Sequence, residues 1–302
     1  MNSSLKKILY FLKSNQITPA NIEITQASNM FFVSSYNTLS SEFISESIAS
    51  GASYQKDIAV IKSLTEYIER LLSKEVSVQF KNMGIDRSDG FAAFPTCYEN
   101  LDFLKSCSDN AYHEAFERYC WATWWDNPEY SFTVREKLHT SSSQNLCFYS
   151  YLIKNFDLEK LFYISPNTNL THQSETIIIF AKIRNYGYVT GGAAGFTKNL
   201  CSIVDRAFSE LTRHLLAFQK MKITATKNLT FYEKRLFNFA SGKNNFLVEA
   251  RLSSKGKKVL VLPALLFNSS FNHRFSDHFI LHRCLFYNQP VFMGGDVNRL
   301  CI

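Results

Sequence analysis

The chain has 302 residues, of which 46% are hydrophobic, 15% aromatic and 20% charged. This composition excludes intrinsic disorder, collagen-like repeats and a long coiled coil, and a chain of this length buries about 75% of its unfolded surface. Glycine and proline are scarce, with 11 and 6 residues. No linker rich in these residues or in serine divides the sequence. We therefore predict a single domain over residues 1–302, with residues 1–45 as a peripheral extension.

The charge balance is basic, with 33 Lys and Arg, 26 Asp and Glu and a net charge of +7. No basic run interleaved with aromatic residues points to nucleic acid, and the positive field suits an anionic substrate such as a nucleotide. No uncharged run approaches the ~20 residues that span a bilayer, and the N-terminus lacks a signal-peptide cleavage site. Seven scattered cysteines without a CxxC pair argue against disulfides or structural zinc. We expect a cytoplasmic protein that binds neither nucleic acid nor membrane.

Three amphipathic helices are predicted from apolar residues that recur at helical spacing. They cover approximately residues 56–74, 110–125 and 199–220. Ser108 and Asp109 precede the second helix and are predicted to cap it. The run CWATWW at 120–125 is predicted to lie in the core.

Strands are predicted where β-branched and other apolar residues cluster, at 174–183, 186–192 and 257–267. GGAAGF at 191–196 is predicted to be a turn before a helix N-terminus, either an anion site or a plain strand-to-helix connection. A similar turn, ASGAS at 49–53, is predicted before the first helix. Helices interspersed with such strands are typical of an α+β fold with packed amphipathic helices. One principal sheet with mixed strand directions is expected.

A carboxylate motif, E-x-x-E-R, occurs on both the first and the second predicted helix. Its two copies are Glu66, Glu69 and Arg70, and Glu114, Glu117 and Arg118. Residues three apart share a helix face, so each copy directs two carboxylates into one region. Mg²⁺ is commonly held by one or two carboxylates together with substrate phosphates, and arginine binds either partner. The alternative is that both motifs are solvated helix faces.

The third predicted helix carries Arg206 and Glu210, four residues apart on one face, after the GGAAGF run. In this order, the three segments resemble the YcaO superfamily. That family combines an E-x-x-E-R helix, an N-G-x-A-A-G stretch with a second E-x-x-E-R helix, and a glycine-rich turn followed by R-A-x-x-E. The matching segments here are 58–70, 88–93 with 114–118, and 191–210. The resemblance implies a YcaO-like α+β fold.

The resemblance also implies an enzyme that uses ATP and Mg²⁺ to phosphorylate backbone amide oxygens of a ribosomally synthesised precursor peptide. We expect azoline-forming cyclodehydration, leading to thiazole or oxazole rings in a bacteriocin-like natural product. Thioamide or amidine formation by the same ATP chemistry is the alternative. The resemblance assigns no catalytic residue. Its implied magnesium ligands are Glu66, Glu69, Glu114, Glu117 and Glu210, and its implied nucleotide-binding residues are Arg70, Asp89, Arg118 and Arg206.

Three features depart from the family pattern. Asp89 stands where the family usually has Asn, and Lys62 stands where it often has Ser. The sequence ends in VFMGGDVNRLCI, without the proline-rich tail of many azoline-forming members. A non-catalytic partner or scaffold subunit and a basic nucleic-acid-binding module therefore stay open as alternatives. The expected partners are the precursor peptide and a leader-peptide-binding protein in trans, and a homodimer is allowed.

Overall fold

The computed structural model describes residues 2–36, 47–81, 91–96, 103–135, 143–169, 173–223, 229, 231–290, 296 and 298–299. Within these ranges the helices are α1 (Ser3–Ser14), α2 (Lys56–Lys81), α3 (Phe103–Asp126), α4 (Ser143–Phe156), α5 (Leu200–Ile223), α6 (Phe231–Ala240) and α7 (Asn245–Ser253). The strands are β1 (Asn21–Ala27), β2 (Met30–Tyr36), β3 (Ser47–Ser53), β4 (Phe91–Pro95), β5 (Phe132–Arg135), β6 (Leu158–Pro166), β7 (Ser174–Ile183), β8 (Tyr188–Phe196), β9 (Leu265–Phe271) and β10 (Phe279–Phe286).

These strands form three small sheets, with the orders β1-β2-β3, β4-β10-β9 and β5-β6-β7-β8. The α+β prediction is confirmed, but three sheets replace the one principal sheet that was expected. The sheets are antiparallel. Parallel pairing among the described residues is confined to two isolated bridges. None of the described helices is long and apolar enough to cross a membrane.

The chain divides into two compact units. Unit 1 consists of Met1–Ala115 and Leu265–Leu285, and unit 2 consists of Phe116–Ala264 and Phe286–Ile302. The helix α3 runs through the boundary, so its first part belongs to unit 1 and its second part to unit 2.

Unit 1 has its core where α1 and α2 meet strands β4 and β10. From α1 this core receives Leu5, Ile8, Phe11 and Leu12. Phe11 also packs edge-on against Phe275, with the ring centroids 4.9 Å apart. The helix α1 thus contributes four side chains to the core of unit 1.

Unit 2 has its core on one face of the four-stranded sheet, against the last turns of α3. Trp121 and Trp124 are fully buried there, which confirms the predicted core position of the tryptophan-rich run. The Trp121 Nε1–H group donates to Thr176 Oγ1 at 2.9 Å. The other side of β8 is covered by α5.

The element boundaries correct several predictions. The first predicted helix continues to Lys81, and the second begins at Phe103, so Ser108 and Asp109 lie inside it and do not cap it. The strand at 174–183 is confirmed. The strand at 257–267 is wrong, since only the part from Leu265 onward is a strand. Pro263, which has no N–H donor, interrupts the run, and Val261 is 63% exposed.

Both glycine-containing runs are strands, not turns. ASGAS lies in β3 and GGAAGF lies in β8. A Cβ atom at Gly51 would lie 2.2 Å from the carbonyl oxygen of Ala59 on α2, and one at Gly191 would lie 2.2 Å from the backbone nitrogen of Leu211 on α5. These glycines therefore allow a helix backbone to lie directly on a strand.

Candidate functional site

The first acidic cluster belongs to unit 1 and is built on α2. Glu66 and Glu69 are both partly buried and lie three residues apart. The Ser50 N–H group on β3 donates to Glu66 Oε2 at 2.9 Å, and the Ala93 N–H group on β4 donates to Glu69 Oε2 at 3.2 Å. Arg70 Nη2 donates to Glu66 Oε1 at 3.2 Å. The main chain of two edge strands thus orients both carboxylates.

The charged groups of this first cluster shift one another's pKa values. Burial and then repulsion from Glu114 on α3 raise the pKa of Glu69 well above its usual range, although Arg70 opposes this shift. Burial would lower the pKa of Arg70, but the attraction of Glu66, Glu69 and Glu114 raises it above its usual value. Since Glu114 repels Glu69, a cation bound near these two carboxylates would be stabilised.

The second acidic cluster belongs to unit 2 and joins α3 and α5 to β8. The Ala194 N–H group bonds to the Glu117 carboxylate on α3, and the Ala194 carbonyl accepts from Arg206 on α5. The N–H and carbonyl groups of Ala194 can bond to these side chains because β8 is an edge strand, in which the main-chain groups of alternate residues point away from β7. Burial, opposed by Arg118 and reinforced by Glu210, raises the pKa of Glu117 to about 7.

Glu210 on α5 is held by its own helix. Arg213 donates to Glu210 Oε1, and His214 Nε2 lies 3.7 Å from the same oxygen. Burial would raise the pKa of Glu210, but Arg213 and other neighbouring basic groups lower it below its usual value. Glu210 is therefore ionised at neutral pH, whereas Glu117 is partly protonated.

The residues assigned through the resemblance, with one exception, lie in these clusters. Unit 1 contains Glu66, Glu69, Arg70 and Glu114, and unit 2 contains Glu117, Arg118, Arg206 and Glu210. Asp89 lies outside the described residues. The alternative of solvated helix faces is wrong for the E-x-x-E-R glutamates, because all four are partly buried. Their assignment to metal or nucleotide stays a prediction.

Lys62 bonds to the main chain of β3. Its Nζ donates to the carbonyl of Ala52 on β3 at 3.1 Å, and the side chain is exposed. The neighbouring Ser63 is buried and shares a 2.8 Å hydrogen bond with Ser35 Oγ. Lys62 and Ser63 thus both attach α2 to the adjacent sheet.

Sequence reasoning missed two kinds of group. The backbone donors of Ser50, Ala93 and Ala194 depend on tertiary contacts that no motif signals. His214 and its partner Tyr232 were also missed, although His214 follows Glu210 by four residues and therefore shares its helix face.

The donor chemistry of both clusters fits Mg²⁺, which prefers carboxylate oxygens. Burial raises the pKa values of Glu69 and Glu117 even though Arg70 opposes the shift at Glu69 and Arg118 and Arg206 oppose it at Glu117, so a bound cation would favour the ionised form of either carboxylate. Within the described part of the chain, no group of three or more His, Cys, Asp or Glu side chains is already arranged around a metal position. Arg70 pairs with Glu66 and Arg213 pairs with Glu210, so a metal ion bound to either carboxylate would exchange with its arginine.

Unit 2 also has a polar cavity of about 230 Å³. Its wall includes Phe116, which precedes Glu117 on α3, and Thr176, whose hydroxyl donates to the carbonyl of Ala193 beside Ala194. Most of the other lining side chains carry hydroxyl groups: Thr133, Ser165, Thr168, Ser174 and Thr197. Residues that line or contact the cavity wall are thus sequence neighbours of the second acidic cluster on α3 and β8.

No protein-family model and no curated protein matches the chain. Among solved structures, the chain is similar to YcaO from Methanopyrus kandleri bound with AMPPCP and Mg²⁺, with a TM-score of 0.59 and 12% identity over 99% of this chain and 93% of that chain. It is also similar to the E. coli microcin synthetase McbBCD complex, with a TM-score of 0.54 and 9% identity over 89% of this chain and 88% of that chain. The same complex with pro-MccB17 bound gives a TM-score of 0.58, also at 9% identity. The chain has a YcaO-like fold.

Proposed function

We propose that this protein uses ATP and Mg²⁺ to activate backbone amides in a ribosomally synthesised precursor peptide. The observation that carries the proposal is the pair of partly buried acidic clusters, in which Glu69 and Glu117 have raised pKa values because burial and neighbouring carboxylates disfavour their ionised forms. The similarity to a YcaO structure that contains AMPPCP and Mg²⁺ supports the nucleotide and the metal.

The carboxylates of each cluster would hold Mg²⁺ in their own unit. In unit 1 these are Glu66, Glu69 and Glu114, and in unit 2 they are Glu117 and Glu210. When bound, Mg²⁺ neutralises charge on the nucleotide phosphates. Phosphoryl transfer depends mainly on positioning and charge stabilisation.

The arginines and backbone donors of this chain supply the positioning. Arg118 and Arg206 would contact phosphate oxygens, and Arg206 is already oriented by its bond to the Ala194 carbonyl. Arg70 would move from Glu66 to phosphate when a metal takes the carboxylate. Asp89 stays a predicted nucleotide-binding residue.

The proposed reaction transfers the terminal phosphoryl group of ATP to a peptide amide oxygen. A nucleophile then adds to the amide carbon, and phosphate leaves. We propose an internal Cys, Ser or Thr side chain as this nucleophile, which gives an azoline. External sulfide, giving a thioamide, and a backbone amine, giving an amidine, are the alternatives.

We propose that a separate protein presents the leader region of the precursor. The similarity to a microcin synthetase complex, solved also with pro-MccB17 bound, supports a peptide substrate and partner subunits. Tight binding of the precursor by this chain alone would contradict the role of a partner. A homodimer and a cytoplasmic location stay predictions.

The proposal is tested by measuring ATP binding with and without Mg²⁺. We compare the parent with Glu66→Gln and Glu117→Gln, one substitution from each cluster. Glu159→Gln is the matched control, because that side chain is 47% exposed and contacts only Lys182 among the described acidic and basic groups, at 3.9 Å. We expect Mg²⁺-dependent binding that both cluster substitutions greatly weaken and that the control leaves unchanged.

A non-catalytic partner subunit is the second candidate. It is favoured by the ion pairs of Arg70 with Glu66 and of Arg213 with Glu210, which satisfy two carboxylates without metal. No ATP binding at millimolar concentration, with or without Mg²⁺, would favour this role. Competition of nucleotide binding by an oligonucleotide at low salt, lost at high salt, would instead favour the nucleic-acid-binding alternative.

A further inference from the structure

A buried histidine lies next to Glu210 in the second acidic cluster. His214 is only 2% exposed, and its Nδ1 is 2.6 Å from the carbonyl oxygen of Thr190 on β8. Its Nε2 bonds to the hydroxyl of Tyr232 on α6 and lies 3.7 Å from Glu210 Oε1. One imidazole ring therefore connects β8, α5 and α6 beside the carboxylate.

The hydrogen bonds determine the tautomer of this ring. A carbonyl oxygen can only accept, so His214 Nδ1 carries the proton and donates to Thr190. In the neutral ring Nε2 is then an acceptor, and the Tyr232 hydroxyl donates to it. Burial lowers the pKa of His214 to about 4, against a smaller opposing effect of Glu210, which keeps the ring neutral near pH 7.

His214 and Arg206 both bond α5 to β8, on either side of Glu210 in the sequence. Arg206, four residues before Glu210, donates to the Ala194 carbonyl, and His214, four residues after it, donates to the Thr190 carbonyl. Both carbonyls belong to the edge strand β8 and are four residues apart, so they face the same side. Glu210 thus lies on α5 midway in sequence between two side chains that are bonded to β8.

We propose that His214, oriented by Tyr232, is a positioning residue that sets the Glu210 carboxylate for a divalent cation. This inference rests on the proposed function, in which Glu210 is a magnesium ligand. The ring bonds to β8 through Thr190 and to α6 through Tyr232, and its Nε2 lies 3.7 Å from Glu210 Oε1, so it holds in place the turn of α5 that carries this carboxylate. Outer partners that orient metal ligands commonly change metal affinity 10–100-fold when they are removed.

The test measures AMPPCP binding by the full chain across a series of Mn²⁺ concentrations. The Mn²⁺ concentration that gives half-maximal nucleotide binding reports metal affinity, and the maximal binding reports the fraction of intact protein. We expect His214→Phe to raise that half-maximal concentration about 10–100-fold while maximal binding is retained. Tyr232→Phe, which removes one hydroxyl, should shift it in the same direction by a smaller factor.

His214→Asn serves as the conservative variant, since its amide can still donate to the Thr190 carbonyl, and it should recover part of the loss. The matched control is His282→Phe in unit 1, where the histidine is 8% exposed and also makes two side-chain hydrogen bonds. The control should leave the Mn²⁺ dependence at the parental value. A folding defect in His214→Phe would leave Tyr232→Phe and His214→Asn to decide the question.

The outcomes separate the two claims. If the parent binds AMPPCP with Mn²⁺ and the His214 and Tyr232 variants show the same Mn²⁺ dependence, the positioning role is overturned while the proposed function stands. A fall in maximal binding at unchanged Mn²⁺ dependence also overturns it, because a purely structural role predicts that result. If the parent itself shows no Mn²⁺-dependent binding, the proposed function fails and this role fails with it.

Discussion

Replacing Gly191 with alanine tests the close packing of α5 on β8. The added Cβ would lie 2.2 Å from the Leu211 nitrogen and 2.3 Å from the Ala207 carbonyl oxygen. Both atoms belong to the helix backbone, so no side-chain rotation can relieve the overlap. A normal contact of about 3.4 Å requires α5 to move outward by roughly 1.2 Å. Overpacking of this kind costs about 1–3 kcal/mol, and we expect a value near the upper end.

The same movement displaces the second acidic cluster, because α5 carries Glu210. A misplacement of about 1 Å can reduce catalysis on the order of 100-fold. Unfolding by urea gives the free energy of unfolding, and the peptide-dependent ATPase rate gives the functional effect. The matched substitution is Gly195→Ala in the same strand, where the atoms nearest to the added Cβ would belong to the side chains of Arg206 and Ile203, at 2.8 and 2.9 Å.

Since those side chains can adjust, Gly195→Ala should cost about 1 kcal/mol or less in unfolding free energy. The reasoning is refuted if Gly191→Ala unfolds within about 0.5 kcal/mol of the parent, or if the two alanine variants are equally destabilised.

Three further predictions concern titratable groups. Burial lowers the pKa of His214 to about 4 in the folded protein. As the pH falls, the histidine is therefore protonated in the unfolded chain before it is protonated in the folded protein. Stability should therefore fall by about 3 kcal/mol between pH 6.5 and pH 4, and urea unfolding of His214→Phe should lack this part of the pH dependence. Because burial raises the pKa of Glu117 to about 7, Mg²⁺-dependent ATP binding should weaken about tenfold from pH 8 to pH 6 as this carboxylate is protonated. Calorimetric titration at both pH values measures the effect. Equal pH dependence of the parent and of Glu117→Gln would contradict the prediction. Glu69→Gln should increase the unfolding free energy by about 1 kcal/mol while nucleotide binding is lost, since the amide oxygen can still accept from Ala93 and the repulsion from Glu114 disappears. A less stable Glu69→Gln variant in urea would contradict that account.

The periodicity of apolar residues is sufficient to predict a helix or strand where the segment buries one regular face. The β-branched run at 174–183 forms β7 with the predicted bounds, and the helical apolar spacing of 56–74 lies inside α2. The E-x-x-E-R motifs were equally readable, since three-residue spacing on a helix determines that two carboxylates point the same way. The order of the motifs was enough to indicate the YcaO-like fold.

The prediction of turns at the two glycine-containing runs is wrong, because the role of a glycine depends on which element packs against it. GGAAGF was interpreted as a turn before a helix, yet Gly191 and Gly195 lie within β8 and make room for α5. A glycine in a turn and a glycine under a helix look alike in one sequence. Similarly, VLVLPALLF has the hydrophobicity of a core strand, and only the structure shows that its first half is irregular, with Val259 and Val261 exposed and Leu260 buried.

Which carboxylates and arginines share a helix face follows from the sequence alone, because helical geometry is local. The charge state of each group and its bonding partners depend on tertiary contacts. Burial in the folded protein raises the pKa values of Glu69 and Glu117, although backbone N–H groups of distant strands donate to both carboxylates and oppose the shift. The spacing along α5 places His214 beside Glu210, but its tautomer depends on the Thr190 carbonyl and the Tyr232 hydroxyl, which only folding brings to the ring.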